Sequence, residues 1–528
     1  MRAKMCIASA TLAALIVAGL VSGCIHTLQA VPASRLRQTD SGKMELLMKD
    51  GTTYRLDRGT VTAKRITGYG LRFPHDSAGK FFSGSIPISD VSIVQTNKID
   101  PAVNLLAWGC IGFLTASAAQ SLGSGSFGVV GVEISYPVSG GGGGSCPYVF
   151  SYDGKSYQFE SETFAGSVCR GLERTVVEPL AHLTIVDGAY RLALANQSPE
   201  SQHVNELALL AADHPYGTRI IPDIRNILHT VQDVHGPTMA VGLDGSPAAH
   251  EIRAQDGRFW ETRQMDIDSS ITRLRDGLIC EFEKPETATA AKLVVTARAT
   301  NLGYFALEKL FSLRGPGKLD WYHELNTDSL ERRRLVNWLL REGGLQVSVW
   351  MDGRWVTQGV LPPIGPRSTV TNLAVLNLAD VAGATVRVKL ESCADLWRLD
   401  HVGIDFGPDE SIMVTPARLA SATSETGTDV MLKLVSNDTL YYSTAPGNYA
   451  QLRYDTVALA EGMSRTMLLR ATGHYYSWLD ADSVDSQPLV ERILDEPQFG
   501  SMLYFAEWLK VRDTYQAVSE QRPRFAQH

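Results

Sequence analysis

At 528 residues the chain is longer than a single hydrophobic core sustains, and its length predicts about three domains. With 44% hydrophobic and 20% charged residues, it has the composition of a globular protein and not of a disordered one. Acids outnumber bases, 57 to 49, for a net charge of −8, and no Lys/Arg-rich run occurs. That balance excludes the basic footprint of a nucleic-acid partner and a charge-based grip on anionic lipid.

Residues 1–23 read as a secretory signal. Arg2 and Lys4 supply a positive start, Ile7 to Leu20 is uncharged and apolar, and small residues lead to Cys24. The ending Val21-Ser22-Gly23-Cys24 resembles the lipobox of bacterial lipoproteins. The resemblance implies cleavage before Cys24 and lipidation of that cysteine, with palmitate among the acyl groups. Ile25, where inner-membrane lipoproteins carry Asp, implies delivery to the outer membrane, facing the periplasm or the outside. The membrane is then a partner through the lipid anchor. Several acyl chains hold stably where one holds only reversibly.

Residues 24–42 lack periodicity and read as a tether. Residues 43–100 carry short alternating runs around Asp50-Gly51 and read as a small curled, barrel-like antiparallel module. The pattern resembles the SH3-like β modules that follow the lipobox in other bacterial lipoproteins. Residues 101–132 contain no charged side chain. Within them Ala102 to Ala119 reads either as a membrane-inserting helix, near the lower length limit for a span, or as a buried helix. Residues 133–145 include five consecutive glycines, Gly140 to Gly144, and form a flexible linker.

Beyond the linker, Asp-Gly pairs recur at 153–154, 187–188, 244–245, 256–257, 276–277 and 352–353, mostly between β-prone runs. This hairpin grammar predicts a β-sandwich-like domain over 146–326 and a second over 345–480. Between them, 327–344 predicts a helix capped by Thr327 or Asp328, with Leu335, Trp338 and Leu339 on its buried stripe and Gly343-Gly344 as its stop. Residues 481–528 predict a helical C-terminal cap, with Pro488 and Pro497 at helix boundaries. The expected fold class is therefore mainly β: a small N-terminal module, a β-sandwich region with a few helices, and a helical C-terminus.

The run Cys146-Pro147-Tyr148-Val149-Phe150-Ser151-Tyr152-Asp153-Gly154, continuing to Glu162, resembles a CPxVF-x-YDG-type pattern of bacterial secreted proteins and lipoproteins of unknown activity. It implies an extracytoplasmic β fold and transfers no catalytic residue. Five cysteines remain in the mature chain besides Cys24; Cys146 and Cys169 flank a predicted hairpin and are the candidate disulfide.

No linear motif of chemistry stands up. Gly123-x-Gly125-x-x-Gly128 lacks the βαβ frame of a dinucleotide site. Asp480, Asp482 and Asp485 lack the glycine and distal Glu of a calcium loop. Glu160 and Glu162, two apart on a predicted strand, would share a face, but one strand cannot set the separation of a catalytic carboxylate pair, and they read as fold or edge residues. His229 and His235 do not match a metal-ligand run. Trp321-Tyr322 and Tyr441, Tyr442, Tyr449 and Tyr454 read as core aromatics. The sequence thus predicts no catalytic residue, metal or cofactor. It predicts an envelope lipoprotein that binds or scaffolds an envelope protein or polysaccharide, with no nucleic acid. The alternative is a periplasmic polysaccharide hydrolase or a carbohydrate-binding module.

Overall fold

A computed structural model describes residues 29–32, 41–48, 52–62, 64–73, 80–96, 146–262, 274–477 and 486–525. Cys24, the uncharged segment 101–132, the glycine linker and Asp480, Asp482 and Asp485 lie outside these. Among the described residues, no helix is long and apolar enough to cross a membrane.

The N-terminal part is one antiparallel sheet. Its strand order is β1 (Gln29–Pro32), β6 (Val91–Thr96), β2 (Ser41–Met48), β3 (Thr53–Val61), β4 (Arg65–Phe73) and β5 (Lys80–Pro87). Alternation buries Met44, Leu46 and Met48 on one face of β2, where they pack with Leu56, Val61 and Ile66. β1 and β5 are its edges, and no described pair closes it into a barrel. β1 lies in the stretch read as tether, where Gln29–Pro32 pairs with Ile93–Thr96.

Residues 146–525 are mainly β and sandwich-like. One layer runs β24 (Leu419–Ser424), β26 (Tyr449–Asp455), β10 (Ala189–Ala195), β7 (Tyr148–Tyr152) and β8 (Tyr157–Glu162). Facing it are β23 (Met413–Pro416), β11 (Glu200–Pro215), β27 (Met463–Ser477) and β9 (Arg174–Pro179), with β25 (Tyr442–Thr444) also on β11. Leu192, Leu194 and Leu452 from the first layer pack with Leu207, Leu209 and Leu469 from the second. The Tyr454 hydroxyl donates across the layers to the Leu207 carbonyl at 2.5 Å.

The second sandwich is built from β14 (Met239–Gly242), β16 (Arg275–Glu283), β21 (Thr385–Cys393), β18 (Leu345–Met351) and β19 (Arg354–Leu361) against β15 (Trp260–Glu261), β22 (Trp397–Asp405), β17 (Ala290–Ala299) and β20 (Val370–Asn377). A hairpin, β12 (Arg219–Pro222) and β13 (Leu228–Val231), contributes Ile221 and Val231 to a small cluster with Val294 and Leu373. The chain therefore does not divide at 327–344 into two consecutive sandwiches. The 239–405 sandwich is inserted into the other, and the returning strand β23 pairs with β11 at Leu210–Asp213, next to where the chain left.

Among the described residues five helices complete the region: α1 (Leu302–Ser312), α2 (Lys318–Thr327), α3 (Ser329–Trp338), α4 (Gln487–Asp495) and α5 (Phe499–Glu520). The first two fall within the 146–326 stretch expected as a β-sandwich-like domain, up to Thr327. Leu302, Phe305, Ala306 and Leu310 nevertheless follow helical spacing and are buried. Asp328 caps α3 by accepting from the Leu330 N–H at 2.7 Å. α3 then widens into a π turn, Leu339–Gly343, before Gly344 turns extended. Pro488 stands in the first turn of α4, and Pro497 lies between α4 and α5.

Most Asp-Gly pairs turn the chain as expected. Asp352 and Gly353 join β18 to β19 with φ of 48° and 76°, the left-handed pair that a two-residue hairpin requires. Asp276-Gly277 does not. It lies inside β16, where Gly277 faces Glu391 and a Cβ would stand 1.9 Å from the Leu390 carbonyl oxygen. Glycine is there for close backbone approach, not for a turn. Gly277→Ala should cost about 3 kcal/mol or more by forcing β16 from β21, whereas Gly353→Ala, with open space around its Cβ, should cost only about 1–2 kcal/mol of backbone strain. Denaturant unfolding of the two variants measures the difference.

Candidate functional site

Polar side chains from four segments meet beside an open cleft of about 460 Å³. The loop after β22 supplies Asp409, β13 supplies His229 and β17 supplies Lys292, all lining the cleft, and the turn after β12 supplies Asp223 behind His229. Lys292 is buried where a charged side chain must be paired. Its Nζ donates to the carbonyl oxygens of Thr230 at 2.5 Å and Pro408 at 3.3 Å, and to Asp409 Oδ1 at 3.4 Å; Asp405 Oδ2 stands at 3.7 Å. His229 Nδ1 lies 2.7 Å from Asp409 Oδ2, and its Nε2 faces Asp223 Oδ2 at 3.7 Å. Burial pushes the Asp223 carboxyl up, but the backbone N–H groups of Ile227 and Arg225 and the Arg225 guanidinium outweigh it, leaving it below the usual range.

The consequence is one oriented carboxylate at a cleft mouth. Asp409 is 44% exposed, while the His229 and Lys292 side chains behind it are buried to within a tenth. That arrangement can accept hydrogen bonds from a neutral polyhydroxy or cationic group. His229 was singled out in the sequence together with His235, but the two do not meet. His235 lies beyond β13, is 58% exposed and pairs with Asp233.

A second constellation left no linear signal. Cross-strand register sets Ser443 on β25 opposite His203 on β11, and His203 opposite His474 on β27. Glu173, just before β9, completes the row. His203 Nδ1 meets Ser443 Oγ at 2.8 Å, the imidazoles stack with centroids 4.8 Å apart, and His474 Nδ1 meets Glu173 Oε2 at 3.0 Å. Tyr441 and Tyr476 stand edge-on to both rings. A serine on an imidazole nitrogen is how hydrolases activate a nucleophile. Here burial, reinforced by His474 and Arg170, pushes His203 down to about 3, so it is too weak a base to draw the Ser443 proton well. Glu173 orients the other ring.

Glu160 and Glu162 are separated by a β-bulge. Phe150 pairs with Phe159 and Val149 with Ser161, so Glu160 is the extra residue and the alternation resets there. Glu160 accepts from the Ser151 hydroxyl and from the backbone N–H groups of Ala181 at 3.0 Å and His182 at 2.8 Å. Glu162 instead reaches the 365–368 loop, where its Oε2 accepts from the N–H groups of Arg367 at 2.5 Å and Ser368 at 3.1 Å. Burial pushes its carboxyl up to about 7 despite those donors. Glu200, which accepts from the Cys146 N–H at 2.6 Å and Gln202 Nε2 at 2.7 Å, is pushed up by burial to about 8, with Glu162 adding to the rise.

The expected Cys146–Cys169 bridge is not formed. Both residues are buried in the main core cluster as thiols. There each fills space as a small hydrophobe, and burial pushes the Cys169 thiol up to about 11, away from the thiolate that disulfide chemistry needs. Trp321, Tyr322, Tyr442, Tyr449 and Tyr454 are all core, while Tyr441 is half-buried. Among the described residues, no group of three or more His, Cys, Asp or Glu is placed to hold a metal ion.

No family model matches the chain, and no curated protein matches it either. Among solved structures, it aligns with that of the infectious bursal disease virus Gx strain at 8% identity, covering 94% of this chain and 88% of that one with a TM-score of 0.14. It also aligns with the structure of the Gt strain of the same virus at 10% identity, covering 76% and 95% with a TM-score of 0.12. Likenesses at such TM-scores carry no argument.

The raised acids make a pH prediction. A carboxyl raised on folding stabilises the fold fully below its unfolded value near 4.5 and loses that contribution as pH rises through its folded value, here about 8 for Glu200. Glu200→Gln, whose amide oxygen can accept the same two donors, should therefore gain on the unmodified protein as pH climbs from 5 to 8. The slope should approach about 1.4 kcal/mol per pH unit. Urea unfolding across that range measures it, and a pH-independent difference would mean that Glu200 is ionised in the fold.

Proposed function

We propose that the chain is a lipoprotein of the outer membrane whose large β region binds or scaffolds an envelope protein or polysaccharide and catalyses no reaction. The anchor rests on Val21-Ser22-Gly23-Cys24. The binding role is supported above all by how the reactive-looking side chains are used. Glu160, Glu162 and Glu200 each accept backbone N–H groups, and the Ser443–His203 pair has a weakly basic imidazole. Such groups hold a scaffold rigid and do not converge on a reacting centre. In two labelled cultures, Cys24→Ser should abolish palmitate incorporation and leave the signal uncleaved at this site. Incorporation at the unmodified level would refute the anchor.

A polysaccharide hydrolase or carbohydrate-binding module is the second reading, and the Asp409 cleft favours it. On the binding reading, Asp409→Asn should weaken retention on immobilised envelope polysaccharide several-fold at a temperature where both proteins are folded. Release of reducing ends by the unmodified protein, lost in Asp409→Asn, would put the hydrolase ahead.

A further inference from the structure

A second cavity lies away from that cleft, where the helices meet the two sandwiches. It holds about 80 Å³ and is walled by α1, the end of α3, the π turn and the loop through Pro363 and Pro366. Leu302, Leu307, Leu339, Ile364 and Leu396 make its lining mainly apolar. The wall is stiff. Two prolines bracket Ile364-Gly365, and a Cβ on Gly365 would stand 2.3 Å from Glu162 Oε2, the oxygen that pins the loop.

Three observations make this more than a packing gap. Trp338 lines the cavity and is 2% exposed, yet its indole N–H has no acceptor among the described residues. A buried donor left unmade costs the fold about 1–3 kcal/mol, so its persistence calls for an acceptor supplied from outside the described residues. The residues that follow, Leu339–Gly343, form a π turn, a distortion found disproportionately at functional sites, and Leu339, Glu342 and Gly343 from that turn face the cavity. Finally, the acid in the wall is already engaged. Glu342 Oε1 accepts from the Gln498 N–H at 2.9 Å and from Arg341 Nε at 2.8 Å, and its Oε2 accepts from Ser501 Oγ at 3.3 Å. A cationic guest therefore has no open partner there.

We propose that this cavity binds a small neutral ligand, an apolar body of about five to eight non-hydrogen atoms carrying one ketone, ester or ether oxygen, at about 10–15 Å³ per water-sized position. The oxygen accepts from Trp338 Nε1, and the hydrocarbon part fills the leucine-lined space. The site is independent of where the protein resides.

Hexan-2-one and 2-methylhexane share a skeleton and differ in an oxygen for a methyl, which makes them the probes. Titrated into the purified protein, both should bind saturably and raise the melting temperature, the ketone about three- to tenfold more tightly. Trp338→Phe should erase that preference while still taking the alkane. Ala306→Leu, which fills the space, should lose both probes. In the unmodified protein the Trp338 indole N–H resonance should move downfield with the ketone and not with the alkane, a readout that survives if a variant misfolds. Absence of saturable uptake, meaning ordered water only, would overturn the proposal. So would an unshifted indole resonance, or a ketone preference that persists in a folded Trp338→Phe protein.

Discussion

The ladder between β11 and β27 is what the large region hangs on. It runs from Glu200↔Ser477 to Pro215↔Met463 with a single irregularity near Asn205, and it joins segments separated by the whole inserted sandwich. Both strands are buried along most of their length, so each backbone group there must find its partner in the ladder or leave an unsatisfied dipole in the core. β23 and β25 complete the far edge of β11, and β9 the far edge of β27. One hydrogen-bonded seam thus closes the outer sandwich and fixes where the inserted one begins and ends.

The same seam explains the polar chemistry on its surface. Because register places Ser443, His203 and His474 side by side, their rings stack and their hydrogen bonds point outward along the row. A row of this kind is a rigid cross-strand contact first. The carboxylates follow the same logic. Glu160, Glu162 and Glu200 each tie a strand to a loop or to the start of the domain, and burial raises the last two, Glu162 to about 7 against the pull of Arg367 and Arg298 and Glu200, with no cation beside it, to about 8.

Local structure was legible wherever it has local causes. Asp352-Gly353 turns because two left-handed residues are required between two twisted strands, Asp328 caps because its carboxylate answers an orphan N–H, and Pro488 starts a helix that Pro497 separates from the next. Legibility failed where the cause is remote. Asp276-Gly277 carries the same two letters as a turn, yet its glycine answers to the Leu390 carbonyl on another strand. The nesting of one sandwich in the other depends on β11 finding β23 and β27, which no window of the sequence reveals. His229 was visible as a histidine but not as the partner of Asp409, and the row of Ser443, His203, His474 and Glu173 is assembled by topology from four distant segments.

Insertion also sets an order of events. The strands from Tyr148 to Pro215 are made first, yet their neighbours β23 to β27 are made last, after the whole inner sandwich. Until then β11 presents sixteen residues of unpaired backbone with apolar side chains on both faces. Such a strand is a template for the wrong partner, and contacts of long sequence separation form slowly. A chain crossing a membrane from its N-terminus would carry this waiting half into the new compartment before the half that completes it. Its folding would then depend on something holding β11 apart from other chains, and its yield would fall as that holdase becomes scarce.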